Sequence, residues 1–129
     1  MHLCKDADGN FTGLKDSRGE IVNIAASDDE FPIGGVQLIR SKSGSVRANH
    51  LHRTDWHALY IVSGEVDYFW RMEGLKSEPQ CRRYGPGECI MTTNGIEHAL
   101  RFVTDCVMVS ISKLHRGEQE HDCVKMEVL

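Results

Sequence analysis

The sequence predicts an all-β domain, a sandwich or barrel built from short antiparallel strands. Three observations carry this. Runs rich in β-branched and aromatic residues recur roughly every 8–12 residues, the spacing of all-β architectures. Glycine, proline and aspartate clusters separate them. No stretch of about ten residues holds a helical period. The chain has 129 residues, 40% of them apolar and 26% charged. That supports one core without staples, so a single domain over residues 1–129 is expected.

Residues 1–33 read as an N-terminal extension. Asp16-Ser17-Arg18-Gly19 is a hairpin turn, and Ser27-Asp28-Asp29-Glu30 before Phe31-Pro32 is a loop. Strands are then expected at Gly35–Arg40 and Val46–His52. Ala58–Val62 and Val66–Met72 flank Ser63-Gly64 and read as a hairpin with glycine at its turn. Cys81–Tyr84 leads into the turn Gly85-Pro86-Gly87. Cys89–Thr93, His98–Val103 and Val107–Ser112 complete the series. The C-terminal extension, 114–129, is polar. It is expected either as an edge strand over Val124–Val128 or as partly disordered chain.

Charge and composition exclude several functions. Lys plus Arg total 15 against 19 Asp plus Glu, a formal charge of -4. Nucleic-acid binders are normally basic, so no nucleic-acid partner is expected. The apolar runs are too short to span a bilayer, so no membrane role is expected. The first residues, Met1-His2-Leu3-Cys4-Lys5-Asp6, lack the layout of a signal peptide. The five cysteines are odd in number and show no CxxC spacing, which predicts reduced thiols and a cytoplasmic location. Cys89 and Cys106 fall in apolar runs, where a thiol packs as a small hydrophobe.

The seven histidines are the main functional signal. His50, His52 and His57 fall within eight residues, and His98 stands in a later strand. Residues i and i+2 of a strand share a face, about 6.5–7 Å apart, so His50 and His52 project together. His57 lies past the turn-like Arg53-Thr54-Asp55 and is expected to reach the same point from an adjacent strand. Clustered neutral imidazoles suit one divalent transition metal: iron, zinc, nickel or copper, with manganese less favoured.

These residues resemble a known family. Gly44-x5-His50-x-His52-x4-His57-x6-Gly64 has the spacing of the first cupin motif, and Gly87-x5-Thr93-x-Gly95-x2-His98 fits the frame of the second. Motif 1 covers 44–64 and motif 2 covers 87–102, and the likeness extends from about Gly35 to Ser112. It implies a small jelly-roll β-barrel with a metal inside on three histidines and a glutamate. The chain departs from that pattern at three places. His57 stands at the usual glutamate, Thr93 at the usual proline, and Phe102 at the usual terminal asparagine. The implied ligands are therefore His50, His52, His57 and His98, with Asp55 as the alternative carboxylate donor. Four neutral histidines leave the full 2+ charge on the ion, which favours an anionic substrate group. Asn49–Trp56 also resembles, more weakly, small cupins related to sugar-nucleotide 3,5-epimerases.

If Val66, Tyr68 and Trp70 share the inward face, Tyr68 is the candidate pocket acid or base. Trp70 and Phe102 are the candidate substrate contacts. Arg71 and Arg101 are out of phase with Trp70 and His98 and are expected in solvent. Glu97 should point away from the metal. The expected function is a metal-dependent cupin acting on a small oxygenated or carboxylate-bearing molecule. Isomerase or lyase chemistry through an enolate, or O2-dependent dioxygenation, would fit. A non-catalytic small-molecule or sugar-binding module is the alternative. A homodimer is expected, the commonest closed assembly.

Overall fold

A computed structural model describes all residues, 1–129. The chain divides into two compact units, Met1–Ile33 and Gly34–Leu129, a division that falls at the end of the expected N-terminal extension.

The first unit holds four short strands: β1 (His2–Leu3), β2 (Gly13–Asp16), β3 (Gly19–Val22) and β4 (Ala25–Ala26). β1 pairs with β4, and β2 and β3 form the expected hairpin. The Asp16 carboxylate accepts the Arg18 backbone N–H at 2.9 Å, which closes the turn. Ser27–Glu30 lies outside any strand, with Asp28 accepting the Phe31 N–H at 2.6 Å.

The second unit contains β5 (Gly35–Ser41), β6 (Val46–His52), β7 (His57–Ser63), β8 (Val66–Met72), β9 (Gln80–Tyr84), β10 (Cys89–Thr92), β11 (Ile96–Phe102) and β12 (Cys106–Ser112). A short helix, α1 (Arg116–Asp122), and a last strand, β13 (Cys123–Lys125), follow. Two antiparallel sheets result. One has the order β10-β7-β12-β5 and the other β13-β6-β11-β8-β9. From β5 to β12 the chain passes to the other sheet at every connection except β8–β9, the winding of a jelly roll.

This topology corrects two expectations. β7 and β8 do not form a hairpin, because they lie in different sheets. Ser63–Glu65 is a crossover whose Gly64 has φ +86°, and a Cβ there would fall 2.1 Å from the Asp105 carbonyl oxygen. Local turn chemistry reads the same for a hairpin and a crossover. Likewise β6 and β7 are not neighbours. His57 approaches the other histidines across the barrel rather than from an adjacent strand.

The core lies between the sheets. Leu59, Ile61, Val66, Tyr68, Ile90, Leu100, Phe102, Cys106 and Met108 form one buried cluster, with Trp70 packed against it. The C-terminal extension supplies the expected edge strand, over Cys123–Lys125 rather than Val124–Val128, and adds a helix that was not expected. The α1 helix carries no apolar stripe. It is pinned by two buried polar residues, Gln119 and Asp122. Gln119 Nε2 donates to Ser112 Oγ at 2.9 Å and to the Leu114 carbonyl at 2.8 Å. No disulfide joins any of the five cysteines. No helix is long and apolar enough to cross a membrane.

Candidate functional site: a histidine cluster in the barrel

The site begins at an irregularity in β6. Ala48 and Asn49 adopt left-handed conformations, φ +68° and +54°. Opposite them the β6–β11 register shifts between His98 and Ala99. This is a β-bulge, a device that re-aims the side chains beyond it. Two consecutive left-handed residues without glycine are costly and need outside support. Asn49 Oδ1 provides it by accepting the Val128 and Leu129 amides at 3.2 and 3.0 Å.

Beyond the bulge, His50 and His52 point together into a cavity of about 400 Å³, as their i, i+2 spacing predicts. His98 pairs directly across from His50. The rings of His50 and His52 lie 4.7 Å apart, His50 and His98 4.8 Å, and His52 and His98 5.2 Å. His57, from the facing sheet, stacks on His52 at 4.5 Å with 14° between the planes. All four histidines line the cavity.

Hydrogen bonds set the state of two rings. The His98 Nδ1 donates to the Ile96 carbonyl at 2.9 Å, which leaves Nε2 as its acceptor. The His57 Nε2 donates to Asp55 Oδ2 at 2.8 Å, so its Nδ1 lone pair faces the Ser110 hydroxyl at 3.2 Å. Asp55 is fully buried, and its Oδ1 also accepts the Trp56 and Leu114 amides at 2.9 and 3.1 Å. Burial alone would raise its pKa. The hydrogen bonds and charge of His57, with the Leu114 N–H, outweigh that and hold the carboxyl below the usual range.

The segment 53–55 that delivers Asp55 is held from the C-terminal extension. Asp122 accepts from the Thr54 N–H at 2.9 Å, the Thr54 hydroxyl at 2.7 Å and the Asp55 N–H at 2.8 Å. The next residue, Cys123, is registered opposite His52, and its Sγ lies 3.5 Å from His52 Nδ1.

Burial lowers the His50, His52 and His98 pKa values to about 4 each, and repulsion between neighbouring imidazoles adds to it. For His98 the bond to Ile96 acts the other way without reversing the shift. At neutral pH these three rings are uncharged.

The rings converge as expected, but their donor atoms do not form one set of four. Two triplets come within 4.8 Å: His50, His52 and Cys123, and His52, Asp55 and His57. His98 belongs to neither. Both nitrogens of His57 are engaged, by Asp55 and Ser110. His50 and His52 share their group with Cys123, whereas His57 is bonded to Asp55 within the other.

The aromatic candidates sit apart from the cavity wall. Tyr68 belongs to the core and meets the wall from behind, its hydroxyl 3.1 Å from Thr92 Oγ1 and its ring 6.0 Å from that of His98. Trp70 stacks on Tyr68 at 5.4 Å. Phe102 is 1% exposed and packs in the core, which is why it stands in place of a polar residue. Arg71 departs from its expected solvent position. It pairs with buried Glu97 at 3.3 Å and donates to the Glu127 carbonyl at 2.9 Å. Arg101 is exposed as expected, over the Phe69 ring.

Sequence reasoning missed Ser110, Asp122, Cys123 and Gln119. Ser110 had a readable signal, since it shares the inward phase of β12 with Met108 and is polar there. The others depend on α1 folding back, which no local pattern announces.

No protein-family model matches the chain, and no curated protein matches it in sequence. Solved structures do. A sugar 3,4-ketoisomerase from Thermoanaerobacterium thermosaccharolyticum, in complex with TDP, aligns with a TM-score of 0.74 at 18% identity, over 90% of this chain and 84% of that one. The fold is cupin-like. A 3,4-ketoisomerase from Helicobacter canadensis gives 0.73 at 16% identity, over 90% and 86% of the two chains. The capsular polysaccharide assembling protein CapF from Staphylococcus aureus gives 0.62 at 22%, over 93% of this chain and 35% of that one. The cupin-like barrel thus carries its histidines at β6, β7 and β11, as the two sequence motifs implied.

Proposed function

We propose that the chain is an isomerase that moves a carbonyl between adjacent carbons of a sugar, the sugar being carried on a nucleoside diphosphate. The observation that carries this reading is the Asp55–His57 pair, with the His57 Nδ1 lone pair held toward the Ser110 hydroxyl in a histidine-lined cavity. A carboxylate that fixes the tautomer and orientation of an imidazole makes a positioned general base. The likeness to structures described as sugar 3,4-ketoisomerases supports the substrate class.

In this reading His57 Nδ1 takes the proton from the carbon next to the ketone, giving an enediolate. The proton returns to the neighbouring carbon, formerly the carbonyl carbon, and the hydroxyl proton passes between the two oxygens. The neutral imidazole of His50 donates a hydrogen bond where oxyanion charge develops. Ser110 is a relay rather than a nucleophile. Its strand, β12, is paired on both sides, so its amides are committed to the ladders and form no oxyanion hole. Arg47 and Arg116 line the cavity and supply positive charge for a diphosphate. Arg47 is held by Ser41 Oγ at 2.8 Å. Tyr68 acts through Thr92, as a positioning residue. A divalent cation on His50 and His52 would polarise the carbonyl when bound.

The exposed apolar side chains of the β10-β7-β12-β5 sheet, Val36, Leu38, Val62 and Met91, support the homodimer as the working assembly. A cytoplasmic location goes with the reading of the cysteines as thiols.

The test is incubation with TDP-4-keto-6-deoxyglucose in D2O, followed by NMR. Deuterium should enter at the two carbons flanking the shift, with a 3-keto product. Tight binding without exchange would replace this reading with a non-catalytic binding module. Uptake of O2 with cleavage of the substrate would replace it with a dioxygenase.

A further inference from the structure

Cys123 has no place in the acid–base chemistry, yet it faces the cavity from a strand whose only pairing is with β6. Its register opposite His52 is fixed by β13 pairing, and the Asp122 bonds to Thr54 and Asp55 anchor the residue before it. Its Sγ lies 3.5 Å from His52 Nδ1. Ligands at about 2.0–2.1 Å for nitrogen and about 2.3 Å for sulfur, on a tetrahedral ion, stand about 3.6 Å apart. The pair is therefore already at the spacing that a shared ion requires. The His50 ring makes no hydrogen bond within the chain, and its ligand atom lies within 4.8 Å of both others.

We propose that His50, His52 and Cys123 form a binding site for a divalent metal of the zinc class, with a mixed nitrogen–sulfur donor set in place of four imidazoles. The inference stands independently of the isomerase reading. A thiolate with two imidazoles selects borderline-soft ions such as zinc and cobalt over magnesium, calcium or manganese. Three protein donors leave a position open toward the cavity. Binding replaces the S–H bond of Cys123 by a metal–sulfur bond, and the proton passes to solvent. His57 keeps its bonds to Asp55 and Ser110, so it is not consumed by the site.

The experiment is titration of the metal-free full chain with Co2+, followed by optical spectroscopy. One equivalent should bind, with a sulfur-to-cobalt charge-transfer band in the near-ultraviolet and the visible bands of a tetrahedral ion. Cys123→Ser should lose the charge-transfer band and weaken binding by at least about tenfold. His57→Gln should keep both band and affinity. Site-resolved alkylation gives a check that needs no variant: bound zinc should protect Cys123 from iodoacetamide while exposed Cys81 still reacts. Saturation of the unaltered protein without the band, or alkylation of Cys123 unchanged by zinc, overturns the proposal. Binding that survives Cys123→Ser and is lost in His57→Gln would overturn it in favour of the four-histidine centre.

Discussion

Two substitutions at Asp55 separate its structural role from its chemical one. The carboxylate is fully buried and accepts three hydrogen bonds, from His57 Nε2 and from the Trp56 and Leu114 amides. Asp55→Ala leaves all three donors buried without partners. At about 1–3 kcal/mol for each orphaned group, the loss is roughly 3–9 kcal/mol, much of the stability of a domain this size. Asp55→Asn behaves differently. Its Oδ1 can still accept both amides, so most of the stability remains. Its NH2 replaces Oδ2, however, and cannot face the Nε2–H of His57. The imidazole must change tautomer, putting the hydrogen on Nδ1 and removing the lone pair that faces Ser110. The rate of deuterium exchange into a keto-sugar should fall by about 10²–10⁴, the range for loss of a positioned base. The assays are urea unfolding for both variants, exchange kinetics for Asp55→Asn, and nitrogen-15 NMR of the His57 ring. An unchanged His57 tautomer in Asp55→Asn, or unfolding of Asp55→Ala at the parental urea midpoint, would refute the reasoning.

Acid should destabilise the fold before the carboxylates titrate. His50, His52 and His98 have pKa values of about 4 in the native chain against 6.5 when unperturbed, so the unfolded chain binds more protons between those values. Stability is complete above pH 6.5 and is lost as pH falls toward 4, by at most about 1.4 kcal/mol per pH unit for each ring. Urea midpoints at pH 7 and pH 5 check this, and a higher midpoint at pH 5 contradicts it. Asp122→Ala removes the acceptor that holds Thr54 and Asp55, and should cost about 2–4 kcal/mol while slowing exchange. The same variant with parental melting and activity would show that α1 does not set the site. Ala48→Gly relieves a left-handed alanine and should raise stability by up to about 1 kcal/mol, read by thermal unfolding. A fall in melting temperature would mean that the bulge is not strained.

The strands from Gly35 to Ser112 were legible because each is short and closed by a turn residue. The histidine set was legible because i, i+2 spacing on a strand leaves little freedom. What could not be read was long-range. Ser63-Gly64 satisfies a hairpin and a crossover equally well, and only the pairing of β7 with β10 and β12 decides between them. The hydrogen bonds of His57 were not legible, because spacing records position and not bonding. Asp55, two residues earlier, takes one of its nitrogens, and Ser110 faces the other from 53 residues away. The α1 helix escaped notice because buried glutamine and aspartate hold it, and those look like surface residues in a sequence.

The three-residue β13 strand sits at the margin of its sheet, paired on one side only. Such a segment opens by local fluctuation at far lower free energy than the doubly paired strands β7, β11 and β12. Hydrogen exchange at residues 123–125 therefore reports the integrity of the cavity independently of the barrel. A bound ion or substrate that touches Cys123 or Gln119 should slow exchange there while leaving the central strands unchanged. Occupancy of the site and local folding of this part of its wall are thus one equilibrium.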